Sequence, residues 1–497
     1  MSRNPAKFLS RIYRLLPIIG ILLLPSTGKS QVLDSLNVRV GTIVTGASKG
    51  YQPFWNSAKR WGTISESKFD ASSFVMLTNS NTLATLRGYD TSVDGRRRAL
   101  TLKYGAALYN NDHFGEVFLE QAYAKLSLGA FQLAIGRYED PTGEMDHQLS
   151  MGSFGVSGNA LPIPKLSISI PVFTPIHFLN DYVSVKGTLA HGWFGDNRFM
   201  QDAFYHEKTF YLKFGKKRFK YYGGLQHFGE WGGRRKNFIL DRSFQGFLDV
   251  LLVKEANDGS VPNNIAPSRA GDQRGLLEAG VDYEGDKILW HGYAQMPFES
   301  GEEVDIRNRS FQAGVHLQFV EPPTTGISKL LVEFIFTKDM NDFVIDRQRQ
   351  SYYNNGAYRT GWEYEDRVVG TPVFINRVRT SKYFPSVKPF EWQKLDSSYP
   401  GNKNILNNRV VGGNLGLFLN VAKGLTMRSI WTITKNYGDL DPASLYKPNK
   451  FQAYTLNEFY FAPADSKFDF MFGLAWDFGD LTRNVGGIAG CRYSLRK

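Results

Sequence analysis

Lys467–Asp480 reads KFDFMFGLAWDFGD, with Phe468, Phe470, Phe472, Leu474, Trp476 and Phe478 on its even positions. Asp469, Met471, Gly473, Ala475 and Asp477 lie between them. Side chains of a strand alternate faces with period two. One face is therefore wholly apolar and largely aromatic, while the other is small or charged. A wall with lipid outside and water or packed polar groups inside demands that pattern of a strand.

The same alternation recurs along the chain. Leu100, Leu102, Tyr104, Ala106 and Leu108 interleave with Thr101, Lys103, Gly105, Ala107 and Tyr109. Phe210, Leu212 and Phe214 interleave with Thr209, Tyr211 and Lys213, and Phe311 to Phe319 and Ile288 to Met296 behave alike. Turn signals fall between such runs at Asn110-Asn111-Asp112, Gly285-Asp286, Pro322-Pro323 and Ala422-Lys423-Gly424. Mean hydropathy is −0.31, and after the first residues no apolar run reaches the ~17–25 residues of a membrane helix. Only helices and closed barrels satisfy every backbone group in lipid. The expected fold is all-β: a transmembrane antiparallel up-and-down β-barrel of about 18 strands, with short helical or irregular segments in lumen and loops.

Residues 1–30 read as a signal peptide. Arg3, Lys7, Arg11 and Arg14 precede the short apolar core Leu15–Leu24, and Gly28 and Ser30 suit a cleavage site before Gln31. These residues supply five cations and no acid to the chain's net charge of +12, leaving +7 for residues 31–497, which are expected to form a single outer-membrane barrel domain. That excess suits an anionic partner in a lumen and, in an exported barrel, excludes a nucleic-acid role. The single cysteine, Cys491, forms no internal disulfide.

Three stretches break the rhythm: 50–65, with a short helix expected after Pro53; Glu139 to Lys165, rich in Gly, Ser and Pro; and 338–409, long, polar and loop-rich. They contain PFWNSAKRWGTIS from Pro53, GSFGVSGNALPIPK from Gly152, and SYYNNGAYRTGWEY from Ser351. HGWFGDNR from His191, HEKTFYLKFG from His206 and NNRVVGGNLGL from Asn407 accompany them. In order and spacing these motifs resemble the Wzi-like capsule assembly family of outer-membrane β-barrels in its Bacteroidota-type form. The resemblance implies a non-enzymatic protein of the bacterial outer membrane that binds capsular or other surface polysaccharide and helps assemble or anchor it. It implies no cofactor, and as partners the polysaccharide, outer-membrane lipid and the barrel insertion machinery, with the chain acting as a monomer. Many such barrels end on an aromatic residue that this machinery reads; here Tyr493 or Leu495 would take that part.

A polysaccharide site needs flat aromatic faces for pyranose C–H groups, with guanidinium forks and carboxylates for hydroxyls and uronates. The candidates in polar, non-strand or strand-end settings are Trp55, Arg60, Trp61, Arg137, Trp231, Arg234, Trp362 and Tyr364. Against them stands the habit of any barrel to place Trp and Tyr in interfacial belts and to pair luminal Arg with Glu. Gly152 to Pro164 lacks the Lys-Ser/Thr ending of a phosphate loop and reads as a stiff loop folded into the lumen. His206-Glu207 points to opposite faces of a strand, so it makes no relay. His291 and His316 share the luminal row without a third ligand, and no G-x-S-x-G elbow is present. The competing function is a diffusion porin favouring anions, which requires an open lumen.

Overall fold

The computed structural model describes residues 36–85, 99–112, 115–236, 238–254, 270–344, 351–394, 403–441 and 443–495; the expected signal peptide lies outside them. Eighteen strands form one sheet. They are β1 (Asn37–Tyr51), β2 (Ser67–Thr85), β3 (Ala99–Asn111), β4 (Glu116–Leu128), β5 (Phe131–Arg137), β6 (Lys165–Pro175), β7 (Val183–Gly195), β8 (Ala203–Phe214) and β9 (Phe219–Trp231). β10 (Asp272–Glu284), β11 (Ile288–Phe298), β12 (Phe311–Phe319), β13 (Gly326–Phe336), β14 (Val410–Ala422), β15 (Leu425–Asn436), β16 (Lys450–Phe461), β17 (Phe468–Gly479) and β18 (Asn484–Ser494) complete it. Each strand pairs antiparallel with its neighbours in sequence, and β18 returns to β1 from Arg39↔Ser494 to Ala47↔Gly486. Closure leaves no sheet edge for lipid to meet.

On β17 the alternation is realised side chain by side chain. Phe468, Phe472, Leu474 and Trp476 are exposed on the outer face. On the inner face Asp477 is buried and its carboxylate accepts the Phe54 N–H at 2.9 Å. Burying that carboxylate is tolerable because it is hydrogen-bonded.

Both described ends of the chain lie at one rim, where the connections are short: 129–130, 215–218, 285–287 and 423–424. The opposite rim carries 52–66, 138–164, 232–271 and 337–409. Outer-membrane barrels have short periplasmic turns and longer extracellular loops, so the second rim is extracellular.

The described residues of three of those extracellular segments, 52–66, 138–164 and 337–409, fold back into the barrel and pack against its wall. Helix α1 (Phe54–Ser57) starts after Pro53, while α2 (Phe244–Leu251) belongs to the 232–271 connection and α3 (Arg377–Tyr383) to the third plug segment. Trp55, Phe154, Tyr352, Tyr353, Trp362 and Phe374 of the plug form one buried cluster with Tyr205, Phe228, Leu276, Ile335, Ile430, Tyr454 and Leu456 of the wall. Irregular backbone survives at membrane depth because protein groups satisfy it. Asn159 Nδ2 donates to the Val368 carbonyl at 2.9 Å, Ser157 Oγ to Gly370 at 2.6 Å and Asn408 Nδ2 to Tyr352 at 2.7 Å. Two glycines make this folding possible. Gly158 has φ +84° with the Trp61 ring 3.0 Å from where a Cβ would stand, and Gly136, at the end of β5, has φ +117° against the Ala122 carbonyl. Left-handed backbone in such close quarters favours glycine.

Ion pairs seat the plug's lower side. Glu458 binds both Arg60 and Arg428, Asp146 binds Lys329 at 2.8 Å, and Glu144 binds Lys186. Nearer the extracellular rim, Arg379 donates to Glu66 at 2.6 Å and Arg367 lies 3.4 Å from the same carboxylate. Burial would raise the Glu66 carboxyl, but these guanidiniums prevail and hold it down at about 2.

Candidate functional site

The plug leans on one arc of the wall. Its buried cluster reaches residues of β7–β10 and β13–β17. The luminal sides of β2–β6 contribute none of that cluster, and several of their side chains remain partly exposed: Phe74, Tyr109, Phe118, Gln121, Tyr123 and Lys125. The aromatic rings there form runs. Phe74 stacks on Tyr109 at 5.2 Å and Tyr109 on Phe118 at 6.0 Å, while Tyr123 meets Tyr138 edge-on at 6.3 Å.

Charges sit beside these rings. The Lys125 ammonium lies 4.1 Å from the centre of the Tyr138 ring, within cation–π range. Tyr138 exchanges a hydrogen bond with Ser167 at 2.7 Å. Lys165, at the start of β6, contacts Glu207 at 2.7 Å and Asp140 at 2.8 Å. Burial would raise the Asp140 carboxyl, yet Lys165 and Lys125 hold it below its ordinary value. Trp61, Tyr138, Asp140, Leu161, Lys165 and Tyr205 border a crevice of about 20 Å³. That is room for one water molecule rather than for a sugar ring, and Tyr138, Lys165 and Tyr205 on its border are buried.

The sequence-derived candidates divide among three places. Trp61, Arg137 and Tyr364 come together beside the β2–β6 arc. Arg137 donates to the Tyr364 hydroxyl at 2.7 Å and to the Leu119 carbonyl at 3.0 Å, and Trp61 borders the crevice next to Tyr138. Trp55, Arg60 and Trp362 are committed to the plug. The Trp55 indole donates to Thr432 at 3.2 Å and Arg60 binds Glu458. Trp362 is 0 % exposed, stacks on Tyr205 at 5.9 Å and donates to the Gly155 carbonyl at 2.7 Å. Trp231 and Arg234 lie elsewhere again. Trp231 occupies the outward row of β9 and packs on Phe204 at 4.7 Å, and Arg234 pairs with Asp202 at the rim at 2.7 Å. The residues that sequence reading passed over are Tyr123, Lys125, Tyr138, Asp140 and Lys165. Their signal was the inward row Gln121-x-Tyr123-x-Lys125 of β4, aromatic and charged opposite the apolar row Ala122, Ala124, Leu126.

His291 and His316 are cross-strand partners on the luminal face. His291 pairs with Asp282, and His316 lies 3.6 Å from Asp146. Among the described residues no group of three His, Cys, Asp or Glu side chains is placed to hold a metal ion.

A family model for the capsule assembly protein Wzi matches residues 84–376. The chain belongs to the Wzi capsule assembly family. No curated protein matches its sequence. Among solved structures, this Wzi-family chain is similar to Wzi of Escherichia coli, described as a carbohydrate-binding β-barrel of group 1 capsule assembly. The identity is 11 %, the match covers 93 % of this chain and 85 % of that one, and the TM-score is 0.55. Weaker likenesses include Pseudomonas aeruginosa OccK2 (8 % identity, 94 % and 99 % coverage, TM-score 0.47) and OprD (8 %, 94 % and 97 %, TM-score 0.45). Fold and family place this Wzi-family barrel in the bacterial outer membrane.

Proposed function

We propose that this barrel binds capsular or other surface polysaccharide without chemical turnover and helps hold it at the cell surface. The observation that carries this reading is the contrast within the lumen. A plug fills one side, while the other keeps rings and charges partly exposed in one contiguous patch. Trp61 and Tyr123 offer faces to pyranose C–H groups, Tyr138 is buried beneath them as a support for Lys125, and Lys125 and Arg137 offer charge to uronates or other anionic substituents. Tyr364 belongs to the patch through its bond to Arg137. Each sugar contact is weak, and a polymer of repeating units multiplies it through effective concentration. What is known of the Escherichia coli relative, described as binding carbohydrate, agrees with this assignment.

The plug inside the barrel counts against the porin reading, since diffusion needs a continuous aqueous path. The test pairs two measurements on the folded barrel: retention on immobilised surface polysaccharide, comparing wild type with Tyr123→Ala and Lys125→Gln, and conductance in planar bilayers. Retention that drops with either substitution, together with an absence of regular conductance steps, is the expected result. Steady anion-selective steps with no polysaccharide retention would replace binder with porin.

A further inference from the structure

The outer wall at the extracellular ends of β7–β9 breaks the lipid-facing rule. Outward positions on these strands are marked by the exposed apolar side chains Leu189, Trp193, Phe210, Tyr221 and Leu225. The same rows continue toward the extracellular rim as His191 on β7, His206 and Lys208 on β8, and His227 on β9. His206 sits three residues below the upper end of β8, about 10 Å along the strand at ~3.4 Å per residue. Polar rings in that position would be costly against acyl chains, and here they are roofed. Helix α2 lies over them. Phe247 contacts the rings of His191 at 5.9 Å, His206 at 5.8 Å and Trp231 at 6.1 Å, and Val250 packs on Gly229.

The roof is pinned at both ends. Ser243 caps the helix by accepting the Gly246 N–H at 3.1 Å. At the other end the Lys208 ammonium donates to the Leu251 carbonyl, a cation where the helix dipole is negative. An eight-residue helix is marginal alone, so these pins and the packed face hold it in place.

The opposite flank is uncovered and apolar. Phe244 is 75 % exposed and Leu252 60 %, and Ile239 and Val253 are exposed beside them. This flank stands outside the barrel wall and continues upward from the lipid-facing belt of Phe210 and Leu225. Basic side chains surround it: Arg242, whose guanidinium lies 4.9 Å from the Phe204 ring, Lys254, which lies 3.3 Å from Asp249, and Arg234, paired with Asp202.

We propose that α2 is an interfacial anchor, whose apolar flank inserts among outer-leaflet acyl chains while Arg242 and Lys254 bind the phosphates of lipid headgroups. The occupant is lipid because the flank is continuous with the membrane-facing belt and its basic fringe complements anionic headgroups. The anchor is separate from the luminal patch and does not depend on how the polysaccharide is bound.

The test uses the full chain with Cys491→Ser, carrying an environment-sensitive fluorophore on Phe244→Cys or, independently, on Leu252→Cys. The protein is reconstituted in phosphatidylcholine vesicles with or without bisphosphorylated lipid A. Both labels are expected to be quenched by lipids bearing a nitroxide on the acyl chain and shielded from aqueous iodide. A label on Glu391→Cys in an extracellular segment should show the reverse. In the second arm, an R242Q/K254Q variant should retain at least five-fold less lipid A through a detergent wash than the parent. Iodide quenching at 244 and 252 equal to that at 391 would overturn the anchor. Equal lipid A retention would overturn the headgroup contact. Shielding that appears only with rising protein concentration would assign the flank to a second copy of the chain and overturn the lipid assignment.

Discussion

Two arcs of the same barrel use the same kinds of side chain to opposite ends. On β8–β17, aromatic residues such as Tyr205, Phe228 and Tyr454 are buried against Trp362, Phe54 and their neighbours in the plug. On β2–β6, Phe74, Tyr109 and Phe118 stack on one another and, like Tyr123, stay partly exposed. The difference teaches that an aromatic, polar-rich lumen does not by itself announce a ligand. What matters is whether the chain's own loops have taken the ring faces. Side chains on the first arc hold the structure together, and those on the second stand outside the buried cluster.

The comparison is broken most forcefully at its packed side. Trp362→Ala removes a fully buried ring and its bond to Gly155, and such truncations cost about 3–5 kcal/mol. A lower guanidinium unfolding midpoint in detergent is expected, along with a plug open to protease. An unchanged midpoint would mean that the plug is not held by this packing. Glu458→Gln comes next. It leaves Arg60 and Arg428 without their shared carboxylate in the lumen, and breaking a buried pair costs about 3 kcal/mol or more. The same unfolding curve reads it.

Acid should act on the packed side as well. Glu66 titrates at about 2 in the folded protein because Arg379 and Arg367 outweigh its burial. Its stabilising contribution is complete above the ordinary glutamate value near ~4.3 and is lost as pH falls through about 2. Glu363 behaves oppositely: burial, with Asp366 nearby, pushes it up to about 8. Folding therefore favours its protonated form, and the stability it confers declines as pH rises from about 4.5 to 8. Glu66→Gln should flatten the acid limb of a stability–pH curve, and Glu363→Gln the neutral limb. A wild-type curve unaltered by both substitutions would remove these assignments.

Smaller effects sharpen the open side. Tyr123→Ala should weaken polysaccharide retention about ten-fold, or ~1.4 kcal/mol, while moving the unfolding midpoint less than Trp362→Ala does. If the two variants lose stability equally, the arcs do not differ as described. Arg234→Gln, at the rim beside Asp202, should change retention less than two-fold, in keeping with the ~0–1 kcal/mol of exposed ion pairs.

The sequence disclosed the wall far better than the site. On β17 the alternation from Phe468 to Phe478 gave the membrane-facing row, and its partner Asp477 does lie inside. Pro53 marked the short helix that follows it, and the Gly-rich run from Gly152 proved to be a loop packed in the lumen. Among site candidates, Trp55 and Trp231 each sit in a polar stretch that reads like Trp61's. Yet the structure puts Trp55 in the plug, Trp231 on the outer wall under α2 and Trp61 beside Tyr138. Nothing local distinguishes them, because each destination depends on which distant segment covers the ring.

Strand alternation, turn residues and the absence of later helix-length apolar runs determine on their own that this chain closes as an outer-membrane barrel of about 18 strands. That information is local: period two assigns each side chain to lipid or lumen within its own strand. Only the tertiary structure decided that the described residues of 52–66 and 337–409 join the Gly-rich loop in the lumen, which arc they cover, and that α2 folds outward over three histidines. Those outcomes rest on contacts between residues hundreds of positions apart, such as Phe54 with Asp477 and Trp362 with Gly155, and no periodicity in the chain encodes them.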